Sequence, residues 1–278
     1  MIRGESAPYH LVGSADCSRV QRLFHPGIVI VTRPSPPGPE PDRSDPDNGR
    51  WTQDRSRKTN RGTEALATFL IELSPQDMQR RLHDALGVYV DAMRYPRGTE
   101  GQRASMWLEH TRRRGWKAVA AVEVANSAVA AVEVADRATA AVEVAPTADQ
   151  LGEGALLGVA YGYSGAPDQW WQQQVSQGLH RVGVPREEIA RLMSSYFELT
   201  ELHIHPRAQG RGLGEALARR LLADRGEANV LLSTPEIIGE ANRAWRLYRR
   251  LGFTDIIRGY HFAGDPRAFA ILGRTLPL

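Results

Sequence analysis

The sequence predicts one α/β domain in which a mixed sheet is flanked by helices, and three observations support this. From residue 63 onward, short runs that suit strands alternate with longer segments of helical periodicity. A turn with Gly210, Gly212 and Gly214 separates a predicted strand from a predicted helix. Residues 1–62 hold eight of the 17 prolines, so this segment has little to bury and is predicted to be a disordered tail.

The domain is predicted to begin with a strand over residues 66–73. Ser74 and Pro75 then suit the N-cap and the first turn of a helix, which should run to about residue 94 because apolar residues recur at a spacing of four. A second helix is predicted over residues 99–114, and its basic C-terminal run needs no ligand because it complements the helix dipole.

The remaining elements follow the same reasoning up to the C-terminus. An insertion over residues 167–195 contains two helices, each opened by a proline. The other predicted elements are strands at 116–124, 155–165, 197–205, 229–235, 254–262 and 268–275, a helix from the glycine turn to about 223, and a helix at about 239–251.

An internal repeat interrupts this pattern. The hexapeptide AAVEVA occurs at 120–125, 130–135 and 140–145, a period too short for the usual solenoid families. The even period keeps every copy in the same facing register, with Val122 and Val124 on one side and Glu123 on the other. We interpret the decapeptide repeats, 120–149, as an expanded connection between two strands.

Composition limits the function classes. Cys17 is the single cysteine, which excludes an internal disulfide framework and suits the reducing cytoplasm. No apolar run reaches the roughly 20 residues of a membrane span, so no membrane partner is expected. Residues 63–278 carry 25 basic and 25 acidic residues, so the domain has no net charge that would favour nucleic acid. Nucleic-acid binding by the basic tail is the weaker alternative.

The glycine turn suggests a phosphate ligand, because glycine lets an anion approach the main chain at a helix N-terminus. A P-loop would need a lysine after the last glycine, and none follows here. A dinucleotide fingerprint counted from Gly210 would need a third glycine where Glu215 stands. Neither common phosphate motif therefore fits.

The segment Gln209-Gly210-Arg211-Gly212-Leu213-Gly214 resembles the acetyl-CoA-binding motif of the GNAT superfamily of N-acetyltransferases. The segment 242–253, NRAWRLYRRLGF, is similar to that family's second signature. The resemblance covers the element order from residue 66 to the C-terminus, apart from the repeats and the 167–195 insertion. It implies a GNAT-like domain over residues 63–278, with a mixed, mostly antiparallel central sheet.

The resemblance also implies acetyl-CoA as the acyl-donor co-substrate and assigns residues to it. Main-chain N–H groups between Gln209 and Glu215 should bind the pyrophosphate. The strands at 197–205 and 229–235 should separate and admit pantetheine, with main-chain groups near Leu202, His203 and Ile204 as its partners. Asn242 is a further cofactor-binding candidate.

Two catalytic residues are predicted. An alkylammonium is only about one part in a thousand neutral at pH 7, so a base is useful, and Glu201 is the candidate. Glu198 is its rival, expected on the opposite strand face because the two positions differ by an odd number. Tyr248 occupies the place of the family's tyrosine and is the candidate acid that protonates the departing thiolate.

Metal and covalent chemistry are not expected. His203 and His205 share a predicted strand face, but no further ligand pattern accompanies them, so we interpret them as surface imidazoles. Cys17 lies in the predicted tail, so an acyl-enzyme is not expected. The function predicted is acetyl transfer to an amine by direct attack in a ternary complex, and a non-catalytic acyl-CoA-binding module is the alternative. The acceptor, a small-molecule or protein amine, and the oligomeric state, including a homodimer, stay open.

Overall fold

Seven strands form one mixed sheet in the computed structural model, which describes residues 66–125, 154–236 and 243–278. The strands are β1 (Leu66–Leu73), β2 (Lys117–Ala125), β3 (Ala155–Ser164), β4 (Tyr196–Ile204), β5 (Asn229–Pro235), β6 (Thr254–Tyr260) and β7 (Phe269–Thr275). Their spatial order is β1-β2-β3-β4-β5-β7-β6, and β4–β5 is the one parallel pair among them. The prediction of a mixed, mostly antiparallel sheet is confirmed.

Helices connect these strands where the periodicity predicts them. They are α1 (Pro75–Arg80), α2 (Leu82–Met93), α3 (Gly101–His110), α4 (Trp170–Arg181), α5 (Arg186–Met193), α6 (Leu213–Leu222) and α7 (Arg243–Arg250), and a 3-10 turn spans Pro206–Ala208. The long first helix is predicted wrongly as one piece, because Arg81 leaves helical geometry between α1 and α2. Its guanidinium reaches the carbonyl of Gly154, so a tertiary contact favours the break.

The helices cover both faces of the sheet. The first face carries α6 and α7, which pack on the inner strands around Phe197, Val230 and Trp245. The second face carries α2 and α3 over β1–β4, and α4 and α5 over β5–β7. Tyr196 and Leu231 belong to the second face. Their sequence neighbours Phe197 and Val230 belong to the first. The predicted 167–195 insertion therefore packs on the sheet.

Two sequence predictions fall on residues that the structure does not describe. The predicted tail lies outside the described residues, as do the second and third AAVEVA copies. The first copy is the C-terminal end of β2, which pairs antiparallel with β3, so residues 126–153 connect two adjacent strands. None of the helices within the described ranges has the length and apolarity needed to cross a membrane.

Candidate active site

A cleft opens where the two central strands separate. The parallel pairing of β4 with β5 is restricted to three residues, from Tyr196 opposite Asn229 to Glu198 opposite Leu231. Both strands continue beyond this point, β4 to Ile204 and β5 to Pro235. The separation that the sequence predicts for these strands is thus present. Beyond it, the main-chain groups on the facing edges of β4 and β5 have no strand partner among the described residues.

The glycine turn forms one wall of the cleft. Gly210 and Gly212 have φ values of 83° and 79°, in the left-handed region that favours glycine. The space where a Cβ of either would stand is empty, so a ligand can approach the main chain closely. Gly214 instead packs near Leu247, where a Cβ would lie 3.2 Å from the Leu247 Cδ2.

The amide groups of the turn are available to an anion. The N–H groups of Gln209 and Glu215 donate to the carbonyls of Pro206 and Gly212. Within the described part of the chain, the N–H groups of residues 210–214 donate to no main-chain acceptor of a turn, loop or cap. These five amides precede or begin α6, whose dipole adds positive potential, so they fit a pyrophosphate.

The cleft has a volume of about 410 Å³ and contains most of the predicted cofactor-binding residues. They are Leu202, His203, Ile204, Gln209, Gly210, Gly212, Leu213, Gly214 and Glu215. Helix α7 adds Arg243, Arg246 and Arg250, which the sequence analysis did not single out. Their spacing of three and four residues puts them on one helix face, a signal that could have identified them. The arginines favour a polyanionic ligand.

The main chain of β4 presents alternate residues to the cleft. The His205 N–H donates to the Leu157 carbonyl, so His203, two residues earlier, also directs its main-chain groups toward β3. The main-chain N–H and carbonyl groups of Leu202 and Ile204 therefore point toward the cleft. The Ile204 carbonyl accepts a hydrogen bond from the Gln209 side chain there. Leu202 is the better placed of the predicted pantetheine partners.

Two predicted cofactor residues are not among the described side chains that line the cleft. The Arg211 side chain turns away and contacts Glu123 and Thr68, so its contribution to the cleft is its main-chain N–H. Asn242 lies outside the described residues.

Glu198 and Glu201 lie on the same face of the sheet, which corrects the prediction that they face opposite sides. Tyr161 pairs with Glu201 and Gly162 with Leu199, so a β-bulge at Thr200 shifts the alternation by one residue. Gly162 permits this close approach, since a Cβ there would collide with the Glu198 carbonyl oxygen. Both carboxyl groups thus face α2 and α3.

Glu201 is buried and held by two basic groups. Its Oε2 lies 2.6 Å from His203 Nε2, and its Oε1 lies 3.9 Å from an Arg103 guanidinium nitrogen. The His203 ring packs against both Tyr89 and Trp107, with ring centroids 4.9 and 6.1 Å away. The prediction that His203 is a surface imidazole is therefore wrong, and burial lowers its pKa.

His205 lies just beyond β4 and differs from His203. It is partly exposed, and its Nε2 lies 3.2 Å from Asp91 Oδ2. Within residues 66–125, 154–236 and 243–278, no group of three or more His, Cys, Asp or Glu side chains could hold a metal ion.

Glu198 is the more enclosed of the two carboxyl groups. The Tyr163 hydroxyl donates to its Oε1 at 3.2 Å, and no described residue bonds its Oε2. Burial raises the pKa of Glu198 to about 8, although Arg113 nearby opposes this rise. Glu198 therefore retains its proton near neutral pH, unlike a carboxyl group in water.

Tyr248 belongs to α7, and its side chain packs in the core. It is fully buried, its ring centroid is 5.2 Å from that of Phe253, and burial raises its pKa well above the usual value. Its neighbours Ala244 and Leu247 line the cleft, but Tyr248 is not among the lining residues. Its role as the acid stays a prediction.

The loop between β6 and β7 lies near the residues that surround Glu201 on the second face of the sheet. The loop between β6 and β7 faces the end of α2 and the start of α3, because Arg267 interacts with Tyr95 and Asp265 with Arg103. Arg103 of α3 thus lies near both Asp265 of this loop and Glu201.

The two tryptophans at the start of α4 have different environments. Trp170 is exposed, with its ring 5.6 Å from that of Phe262. Trp171 is buried, and its indole N–H donates to the Ser233 hydroxyl on β5 at 3.2 Å. Trp171 thus packs on the sheet, whereas Trp170 is exposed beside Phe262 of the β6–β7 loop.

Comparison with known proteins decides the family. Residues 176–255 match the model of the acetyltransferase (GNAT) domain. The chain is 75% identical over 213 residues to the GCN5-like protein acetyltransferase Rv2170 of Mycobacterium tuberculosis, covering 77% of this chain and 100% of that protein. The chain belongs to the GNAT family of acetyltransferases. It is an N-acetyltransferase, and the GNAT family uses acetyl-CoA as its acetyl donor.

Solved GNAT structures are similar at low sequence identity. The ribosomal-protein-S18-alanine N-acetyltransferase of Escherichia coli is 16% identical, with 76% of this chain and 96% of that chain covered and a TM-score of 0.41. NAA60 of Arabidopsis thaliana in complex with acetyl-CoA is 16% identical, with 76% and 99% covered and a TM-score of 0.42.

Proposed function

We propose that this GNAT enzyme transfers an acetyl group from acetyl-CoA directly to an amine while both are bound. The observation that carries the proposal is the cleft between β4 and β5. At one end it has the free amides of the glycine turn, and on the strand that forms its wall it has Glu201. A donor on the first face and an acceptor on the second could meet there.

The donor's parts match successive features of the cleft. The amides of residues 210–214 would hold the pyrophosphate, and the arginines of α7 would contact the remaining phosphate charge. The Leu202 main chain would bond pantetheine like an added strand. When bound, acetyl-CoA supplies an acetyl thioester at the inner end of the cleft.

Glu201 would remove the proton that keeps the acceptor amine from reacting. The imidazole of His203, packed against the Tyr89 and Trp107 rings, holds one carboxyl oxygen of Glu201 by the 2.6 Å contact. This contact orients the carboxyl group without covering its other oxygen, which faces Arg103 at 3.9 Å. Glu201 is therefore the proposed base and His203 the residue that positions it.

Tyr248 is the proposed acid, supported by its position in the second family signature and by a pKa that keeps the phenol protonated. The Tyr248 side chain packs in the core. A variant must therefore test whether its hydroxyl reaches the leaving sulfur.

The acceptor that we propose is an amine on a protein. This rests on the mycobacterial relative, which is a protein acetyltransferase by name. We expect a side chain on a larger partner to reach Glu201 along the second face, between the β6–β7 loop and the start of α3, where Asp265 interacts with Arg103.

Initial-velocity kinetics on wild type, Glu201→Gln and Glu198→Gln test this proposal. Direct transfer predicts intersecting double-reciprocal lines, and an acyl-enzyme would give parallel ones. Glu201→Gln should lower kcat by roughly 10²–10⁴ at neutral pH, and the loss should shrink as pH approaches the acceptor's own pKa. Glu198→Gln, which changes a protonated carboxyl on the same face, should retain most activity. Equal losses in both variants would contradict the assignment of Glu201.

A further inference from the structure

The glutamate of the first AAVEVA copy lies under the phosphate-binding turn. Glu123 is in β2, and its side chain is buried although it carries charge. It faces the α6 side of the sheet, opposite to Val122 and Val124, which pack under α2 and α3. A buried carboxyl group requires compensation, so its partners define what it does.

Those partners come from the turn itself. Glu123 Oε2 lies 2.5 Å from an Arg207 guanidinium nitrogen, and Oε1 lies 3.3 Å from one of Arg211. A second Arg211 nitrogen donates to the Thr68 hydroxyl at 2.9 Å. Thr68 is the cross-strand partner of Glu123 in β1, so the two side chains form one acceptor site for Arg211.

The two arginines flank the site where the amides turn toward the cleft. Arg207 belongs to the 3-10 turn that precedes the glycines, and Arg211 stands between Gly210 and Gly212, both left-handed. Glycine at these positions leaves the main chain with many accessible conformations. A tether from each end of the turn to one buried carboxylate removes much of this freedom.

We propose that Glu123 is a positioning residue for acetyl-CoA binding, which fixes Arg207 and Arg211 so that the amides of residues 210–214 point at the phosphates. The inference rests on the proposed function, since it requires that the turn binds those phosphates. It also gives the first repeat copy a role that its sequence alone does not indicate.

Positioning and simple electrostatics predict opposite results. Glu123 carries negative charge near an anion site, so its neutralisation should tighten binding of acetyl-CoA if charge alone mattered. If Glu123 positions the turn, its neutralisation should weaken binding, because the amides lose their common direction.

Calorimetry with acetyl-CoA, together with steady-state kinetics, distinguishes these outcomes in the full chain. Glu123→Gln should raise Kd and the KM for acetyl-CoA about tenfold or more, with kcat at saturation within about threefold. The Kd of Glu123→Asp should lie between those of wild type and Glu123→Gln. The matched control is Glu72→Gln, which removes a carboxylate of β1 that contacts Arg220 of α6 at 3.1 Å and has no contact with the turn. It should leave Kd unchanged.

Further variants keep the test decisive if Glu123→Gln folds poorly. Thr68→Val removes one acceptor of Arg211 without a change of charge and should raise Kd severalfold. In an Arg211→Met background, Thr68→Val should have no further effect, because the two groups act together. An unchanged or lower Kd in folded Glu123→Gln, or in Thr68→Val, overturns the inference while the proposed function stands. A wild-type chain that binds no acetyl-CoA overturns both.

Discussion

Replacing Gly212 by aspartate should abolish acetyl-CoA binding while the fold persists. Gly212 is the N-cap of α6, exposed and left-handed, with empty space where a Cβ would stand. A side chain there projects into the region that the amides of the turn face. Aspartate and asparagine tolerate left-handed backbone better than other residues, so the strain is modest and similar for both.

The size of the effect follows from charge. If the new carboxylate lies about 4 Å from a bound phosphate, an effective dielectric constant near 20 gives about 4 kcal/mol of repulsion per pair of unit charges. This corresponds to roughly a thousandfold loss of affinity. Gly212→Asn adds nearly the same volume without the charge, so the affinity ratio of the two variants isolates the electrostatic part.

Isothermal titration calorimetry with acetyl-CoA on wild type, Gly212→Asp and Gly212→Asn measures this ratio. It should be at least about a hundredfold at low salt and should shrink as salt screens the charges. Thermal unfolding of the three proteins checks that the fold persists. Equal affinities of folded Gly212→Asp and Gly212→Asn would refute the assignment of the turn to phosphate.

Four further predictions test other parts of the account. Tyr248→Phe should lower kcat by roughly 10²–10⁴ with little change in acetyl-CoA affinity, and a kcat within about threefold of wild type would mean that the residue only packs. Deletion of residues 126–145 should leave acetyl-CoA affinity unchanged by calorimetry, since these residues connect adjacent strands; an unfolded variant would show that they belong to the sheet. Trp170→Ala should raise the acceptor KM but not the acetyl-CoA KM, whereas Trp171→Ala should instead destabilise the fold by about 3–5 kcal/mol; equal effects on both KM values for Trp170→Ala would favour packing. Because burial raises the pKa of Glu198 from 4.5 to about 8, wild-type stability should fall relative to Glu198→Gln as pH rises between these values. In urea unfolding, the free energy of unfolding of wild type should fall relative to that of Glu198→Gln by up to about 1.4 kcal/mol per pH unit. Parallel pH profiles of the two proteins would contradict this prediction.

Local sequence signals are sufficient to predict the fold and the position of the cleft. Alternation and capping residues predict the order of strands and helices, and the spacing of the glycines predicts which turn forms the wall of the cleft. These features depend on neighbours in the chain, which is why periodicity and turn chemistry report them.

The surroundings of Glu201 depend on contacts between distant segments, and there the sequence misleads. Counting alternation along β4 puts Glu198 and Glu201 on opposite faces, but the bulge at Thr200 is set by the pairing with β3. The pattern around His203 predicts a surface residue, whereas α2 and α3 cover it with aromatic rings. Arg211 belongs to the cofactor motif, yet its side chain contacts β1 and β2.

The central claim is that the cleft carries out acetyl transfer to an amine and does more than bind acetyl-CoA. The most direct measurement is release of the CoA thiol from acetyl-CoA by the wild-type chain, with and without amines from a panel of peptides, proteins and small molecules. We expect thiol release that depends on the amine, with the acetyl group recovered on the acceptor by mass spectrometry. Tight binding of acetyl-CoA with no amine-dependent thiol release across the panel would contradict the claim and identify a binding module.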